Sequence, residues 1–201
     1  MLAPARLARA GEIGLVATPG GFGTPPLPDG TVLRVDGTRL HDGERSSAIT
    51  TVRDAAAFVG IPLSATPDVG RDLPPFEPDA PLAVDDVAAR SLAQWFALAH
   101  DVLGRLAVPG ASITAPTLWP EHFDLAVVVT LPGDVGVNVG FSPGDAASDE
   151  PYAYVGPWER DGLTGDFWNA PFGALRPRSA LDDPDAFVRR GLDLVRARGA
   201  A

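Results

Sequence analysis

A histidine, a carboxylate and an amide fall close together in two predicted β-strands. His122 and Asp124 are two residues apart, and Asn138 has a glycine two residues away on each side. An imidazole can act as a general base, a carboxylate can orient it, and an amide can both donate and accept hydrogen bonds. Because side chains two residues apart in a strand share a face, these residues predict a polar ligand-binding or catalytic surface that the glycines leave open to close approach.

Strand pairing determines whether these residues lie together. Most apolar side chains of residues 123–130 and 135–141 fall at odd positions, and a proline–glycine turn lies between the two segments. For the apolar side chains of both strands to share one face, Val135 must pair with an odd-numbered residue. Pairing with Leu131 or Val129 leaves a loop of three or five residues, which are common hairpin lengths. The opposite face of the hairpin would then carry the histidine, the carboxylate and the amide.

Acidic and aromatic residues around this hairpin extend the candidate site. Acids of the following loop could approach it, and the aromatic rings could stack on a sugar or a nucleobase. The acids lack the spacing of a calcium loop, so neither a metal ion nor a cofactor is predicted. The alternative is a solvated strand surface with a helix resting on its small residues. The predicted ligand-binding residues are Trp119, His122, Asp124, Asn138, Asp145, Glu150 and Tyr152.

One segment matches the residue pattern of a catalytic motif but lacks a group that the motif requires. Gly140-Phe141-Ser142-Pro143-Gly144 matches the G-x-S-x-G turn of serine hydrolases. In that turn the residue after the serine donates its backbone N–H to the oxyanion, and proline has none. All three histidines also precede the serine, against the order found in those enzymes. A serine hydrolase is therefore not predicted.

Composition excludes further chemistry. The 201 residues contain no cysteine, and all 16 basic residues are arginine, so disulfides, thiolate catalysis, iron–sulfur clusters and lysine Schiff bases are excluded. The formal net charge of -10 and the pI near 4.6 would repel nucleic acid and anionic membranes. From its sequence the chain is expected to have neither a signal peptide nor a membrane span. It predicts an acidic, cysteine-free cytoplasmic protein without nucleic-acid or membrane partners.

Three helices are predicted from their ends and periodicity. Thr51 and Gly60 delimit a helix over 52–59. Apolar residues repeat at helical spacing over 84–106, which predicts a long core-packing helix. A C-terminal helix begins after a capping Asp183, and Gly191 on its apolar side indicates close approach to another element. The predicted buried stripe of this helix consists of Phe187, Val188, Gly191, Leu194 and Val195.

The remaining segments predict strands, loops and an extended arm. A short strand over 13–18 is followed by a glycine- and proline-rich loop over 19–26, a hairpin turns at Asp36-Gly37, and a third meander strand covers 152–156. The proline-rich segment 62–81 predicts an extended arm, with an interdomain linker as the alternative. We predict a single α+β domain over residues 1–201, with antiparallel hairpins and a meander packed on the long helix.

Five short segments of the chain form recognisable motifs, and they are 119–124, 138–140, 142–145, 150–152 and 168–170. These segments resemble uncharacterised hypothetical proteins of GC-rich bacteria, and this resemblance implies no activity, cofactor or partner. From its own residues, the chain is predicted to bind a small-molecule ligand on the 122–142 hairpin face. The alternatives are a hydrolase- or lyase-type enzyme that uses His122 and nearby carboxylates, and a structural or homo-oligomerising module.

Overall fold

The computed structural model of the chain describes residues 1–63 and 77–199. These residues form four α-helices and eleven β-strands, and both sheets are antiparallel. This confirms the α+β class, the long central helix and the C-terminal helix. The chain folds as two compact units, Met1–Ala97 with Thr117–His122 and Leu98–Pro116 with Phe123–Ala201. The single domain stays a prediction, and each unit is described by itself.

The first unit contains a five-stranded antiparallel sheet in which chain neighbours pair in the order β1-β2-β3-β4-β5. The strands are β1 (Val16–Thr18), β2 (Gly21–Gly23), β3 (Leu33–Asp36), β4 (Arg39–Asp42) and β5 (Arg45–Ala48). The predicted hairpin is present, but Asp36 pairs with Arg39 and the turn residues are Gly37 and Thr38. Gly37 has a φ of 56°, so the left-handed position of the turn falls on the residue that adopts it at least cost.

Strand β2 corrects the prediction that residues 19–26 form only a loop. Gly21 pairs with Asp36 and Gly23 pairs with Arg34. A β-carbon added to Gly23 would lie 2.6 Å from the carbonyl oxygen of Leu33. Glycine here permits a close approach between two strands, which is one of its uses in sheets. Strand β1 begins at Val16 rather than at the predicted Ile13.

Two helices, α1 (Leu2–Ala10) and α2 (Val52–Val59), belong to the first unit. Helix α1 was not predicted, whereas α2 has the predicted bounds. The Thr51 side chain accepts a hydrogen bond from the Asp54 N–H at 3.0 Å, and Gly60 ends α2 in the left-handed conformation. Most of the proline-rich segment, residues 64–76, lies outside the described residues. Where the chain is described again, the Arg53 N–H donates to the Pro78 carbonyl and the Arg53 side chain pairs with Asp79.

Helix α3 (Asp86–Gly104) is the predicted long helix, shortened at both ends. The Asp85 side chain accepts a hydrogen bond from the Ala88 N–H at 2.6 Å, and this cap determines where the helix begins. Its buried residues repeat at helical spacing, as expected of a core-packing helix, and they are Trp95, Phe96, Ala99, Val102 and Leu103. Ala88, which lies earlier in the predicted apolar repeat, is exposed. Strand β7 (Thr117–Trp119) completes the first unit, in which Leu118 forms a bridge with Leu15.

The second unit holds a sheet in the order β11-β10-β9-β8-β6. Its elements are β6 (Ser112–Ile113), β8 (Asp124–Leu131), β9 (Val135–Ser142), β10 (Tyr152–Pro157), β11 (Ala174–Pro177), a 3-10 turn (Arg178–Ala180) and helix α4 (Pro184–Gly199). Leu131 pairs with Val135, which is one of the two predicted registers and leaves a three-residue turn. The buried valines at odd positions of β8 and β9 therefore share one face, as predicted.

The start of β8 differs from the prediction. Phe123 has a φ of 55°, a left-handed conformation that is rare for a bulky residue, and the strand begins only at Asp124. Strand alternation cannot continue through a left-handed residue. The placement of His122 on the same face as Asp124 therefore does not follow from strand geometry.

Helix α4 packs against β10 through Gly191. The Asp183 side chain accepts a hydrogen bond from the Ala186 N–H at 2.9 Å and caps the helix as predicted. A β-carbon on Gly191 would lie 2.8 Å from Val155 Cγ2, which confirms the predicted close approach. Leu192 is buried, whereas Leu194, assigned to the buried stripe from the sequence, is only half-buried.

Replacing Gly191 with alanine should lower the free energy of unfolding by about 1–3 kcal/mol, because overpacking outweighs the gain of about 1 kcal/mol in helix propensity. Urea denaturation measures the change. Gly104→Ala in α3 is the matched control, since its added β-carbon would meet nothing within 4 Å. Equal effects of the two substitutions would contradict close packing at Gly191.

Candidate functional site

The register of the second sheet sorts the candidate residues by face. Tyr152 pairs with Ser142, and Tyr154 pairs with Gly140. Since Asn138 lies two residues from Gly140, these even-numbered residues share one face. Val155 and Ala174, which pair with each other, lie on the other face, where α4 packs. The sheet therefore has one polar and aromatic face and one face that carries the helix.

A buried tyrosine and a carboxylate are bonded to each other on the polar face. The Tyr154 hydroxyl donates to Asp124, whose side chain is buried. Burial raises the pKa of the Tyr154 phenol well above its ordinary value, and the negative charge of Asp124 raises it further. The phenol therefore stays protonated and acts as a hydrogen-bond donor at neutral pH.

A second tyrosine and carboxylate lie beside the first pair. The Tyr152 hydroxyl donates to Asp145 Oδ2 at 2.9 Å, and burial raises the pKa of Tyr152 to about 12. The Phe172 ring lies 6.4 Å from the Tyr152 ring and 6.0 Å from the Tyr154 ring, measured between centroids. We call this group the tyrosine cluster: Asp124, Asp145, Tyr152, Tyr154 and Phe172. Its hydroxyl groups bond to its own carboxylates.

Aromatic rings of the same sheet pack over the glycines on either side of Asn138. A β-carbon on Gly140 would lie 2.6 Å from the Tyr154 hydroxyl, and one on Gly136 would collide with the Trp158 ring. The Trp158 Nε1–H donates to Asn138 Oδ1 at 3.0 Å. These rings account for the small residues that, in the sequence, suggested room for a ligand.

The other predicted residues lie in different surroundings. The Glu150 carboxylate accepts hydrogen bonds from the Ser179 N–H at 3.0 Å and the Ser179 hydroxyl at 2.7 Å, which anchors the 3-10 turn. Trp119 and His122 belong to the first unit, and both are exposed. The structure thus brings together Asp124, Asp145 and Tyr152 of the predicted set. The assignment of all seven as ligand-binding residues stays a prediction.

A cleft of about 430 Å³ opens in the second unit near the start of α4. Strand β11 contributes Arg176, α4 contributes Phe187 and Arg190, and the preceding loop contributes Phe167. We call it the arginine cleft. Arg176 pairs with Ala153 and so lies on the face of the sheet that carries α4, opposite the tyrosine cluster.

The two arginines of the cleft lie over two phenyl rings that contact each other. The Phe167 and Phe187 centroids are 5.4 Å apart. The Arg190 guanidinium carbon lies 5.7 Å from the Phe167 centroid, and that of Arg176 lies 5.9 Å from the Phe187 centroid. These distances fall within the range of cation–π attraction.

Neither of these guanidinium groups forms an ion pair with any residue of the two described stretches of chain. Arg105, elsewhere in the same unit, shows the contrasting case: its Nη2 lies 2.5 Å from Asp185 Oδ2. The hydrogen bond from Arg105 lowers the pKa of Asp185 below its ordinary value. Arg176 and Arg190 are exposed, and their N–H groups are available to a ligand.

Sequence reasoning missed both arginines of the cleft. Phe187 was assigned to the apolar stripe of α4, and Arg190 follows at a spacing of three residues, which places the two side by side on a helix. That spacing was the available signal. Nothing local in the sequence connects them with Arg176 and Phe167, because β11 was not predicted.

Tyr154→Phe should reduce the free energy of unfolding by about 1–3 kcal/mol, because a buried carboxylate loses a donor. Tyr152→Phe is the matched control. Its acceptor Asp145 is exposed and can bond to water instead, so the loss should stay below about 1 kcal/mol. Chemical denaturation of both variants compares them, and a greater loss for Tyr152→Phe would refute the ranking.

The only two tyrosines of the chain, Tyr152 and Tyr154, should ionise at a higher pH in the folded protein than in the unfolded chain. Their pKa values are raised on folding, so their contribution to stability is complete below pH 10 and is lost as the pH rises towards 12 and beyond. Near-ultraviolet absorbance should show no tyrosinate in the folded protein at pH 10. The urea-unfolded chain should be about half ionised there. Half ionisation of the folded protein at pH 10 would show that the two phenols are not buried.

Among residues 1–63 and 77–199, no helix is both long and apolar enough to cross a membrane. No protein-family model, no curated protein and no solved structure matches this chain. A function must therefore be inferred from the chemistry of the chain's own side chains.

Proposed function

We propose that the protein binds a small molecule that carries a carboxylate group on an apolar body, and that it does so in the arginine cleft. The observation that carries this proposal is the pair of guanidinium groups, free of ion pairs among the described residues, over two contacting phenyl rings. Small-molecule binding is also the function predicted from the sequence. The proposed binding site, however, lies on the face of the sheet opposite the predicted 122–142 face.

The donors of the cleft suit a carboxylate. A guanidinium presents several N–H groups in a planar fork that matches the two oxygens of a carboxylate, and such charge-assisted bonds are stronger than neutral ones. Cation–π contact with the rings holds each guanidinium near the apolar surface. Arg176 and Arg190 could therefore bind the carboxylate while Phe167 contacts the rest of the ligand.

The size of the cleft also supports a small ligand. Its volume of about 430 Å³ lies within the range of about 300–1,000 Å³ usual for small-molecule sites. The Phe167 ring is half-buried, so part of it can still be covered by a ligand. The alternatives drawn from the sequence, an enzyme that uses His122 and an oligomerising module, stay predictions.

Isothermal titration calorimetry with 3-phenylpropionate tests the proposal. The wild-type protein should bind this compound, and Arg190→Gln should weaken binding by about tenfold or more, as expected for the loss of a charge-assisted hydrogen bond. Arg196→Gln, an exposed position on the same helix outside the cleft, should leave binding unchanged. Equal losses in the two variants, or a wild-type protein that binds neither this compound nor its 2-amino derivative L-phenylalanine, would refute the proposal.

A further inference from the structure

We infer that the ligand of the arginine cleft is a zwitterion, an α-amino acid with an apolar side chain and free ammonium and carboxylate groups. This inference rests on the proposed function, because it adds a second charged group to the same ligand. It follows from the acidic residues of the cleft. These are Asp166, Asp182 and Asp183.

The charges of the cleft favour a ligand that carries both signs of charge over a simple anion. Three carboxylates and two guanidiniums line the same space, so an anionic ligand bound to the arginines would also face an excess of negative charge. Like charges placed together in a binding site oppose binding. An ammonium group on the ligand would reverse the sign of its interaction with the carboxylates.

The three carboxylates of the cleft differ in the hydrogen bonds and ion pairs that they already form. Asp183 accepts the capping hydrogen bond from Ala186, so its Oδ1 belongs to the start of α4. Asp166 and Asp182 are exposed, and neither forms an ion pair with the described residues. These two side chains are available to accept hydrogen bonds from an ammonium group.

The opposite charges line the same cleft without forming ion pairs among the described residues. Carboxylates and guanidiniums elsewhere in this chain do pair when they lie close, as Arg105 does with Asp185. In the cleft no guanidinium nitrogen of Arg176 or Arg190 lies within 4.0 Å of a described carboxylate oxygen. A site that keeps both signs of charge apart is complementary to a ligand that carries both signs on two groups bonded to one carbon atom.

The apolar part of the cleft distinguishes among amino acids. The half-buried Phe167 ring and the side chains of Leu181 and Ala186 line the same space as the charges. Aromatic pairs add attraction beyond the area that they bury. An aromatic or large aliphatic side chain is therefore the expected third group of the ligand, with L-phenylalanine as a suitable probe.

Three matched compounds test the inference by calorimetry on the full chain. They are L-phenylalanine, 3-phenylpropionate, which lacks the ammonium group, and 2-phenylethylamine, which lacks the carboxylate. L-Phenylalanine should bind at least about tenfold more tightly than either of the others, because each lacks one charge-assisted contact. Replacing both free acids, Asp166→Asn with Asp182→Asn, should abolish this preference over 3-phenylpropionate. Asp193→Asn, an exposed position on α4 outside the cleft, should preserve it.

The outcomes separate this inference from the proposed function. If 3-phenylpropionate binds as tightly as L-phenylalanine, or if the preference survives the double replacement, the ammonium subsite is refuted while carboxylate binding stands. If 2-phenylethylamine binds as tightly as L-phenylalanine, the carboxylate subsite is refuted. If none of the three compounds binds, the proposed function fails and the inference fails with it.

Discussion

The contact between Gly191 of α4 and Val155 of β10 determines how the second unit is built. Because a β-carbon at position 191 would lie within 3.0 Å of three Val155 atoms, the helix can approach this strand only with glycine there. Phe187 lies one turn earlier on the same side of the helix and is therefore directed towards the sheet. Arg176 of the adjacent strand lies on the face that receives the helix, so its guanidinium meets the Phe187 ring. The arginine cleft is therefore a consequence of the close packing of α4 against β10.

The two faces of the sheet solve different physical problems. The face under α4 buries branched aliphatic side chains, which is the usual source of stability. The opposite face buries polar groups, which is costly unless they are hydrogen-bonded. Tyr152 and Tyr154 meet this requirement by donating to Asp145 and Asp124, and their raised pKa values keep both phenols protonated as donors. A carboxylate that accepts a hydrogen bond from a buried phenol stabilises the fold. Acidic residues of the predicted ligand-binding site can therefore have a structural role.

Much of the fold was predictable because its signals are local. Capping residues fixed the bounds of the helix over 52–59 and the start of the C-terminal helix, and valine alternation fixed the faces of the long hairpin. Strands β5 and β11 are four residues long and lack an alternating apolar pattern, so pairing partners rather than propensity make them strands. The left-handed Phe123 interrupted a pattern that looked continuous in the sequence. The cleft joins residues from a loop, a strand and a helix, and no local pattern connects them.

A proton–nitrogen correlation spectrum of the backbone amides and the arginine side chains, recorded during a titration with L-phenylalanine, tests most directly where the ligand binds. We expect the Nε–H signals of Arg176 and Arg190 to shift together and to saturate with a single dissociation constant, while that of Arg196 does not move. Saturable shifts confined to residues of the tyrosine cluster, with both cleft arginines unaffected, would contradict binding in the arginine cleft and would place the site on the opposite face of the sheet.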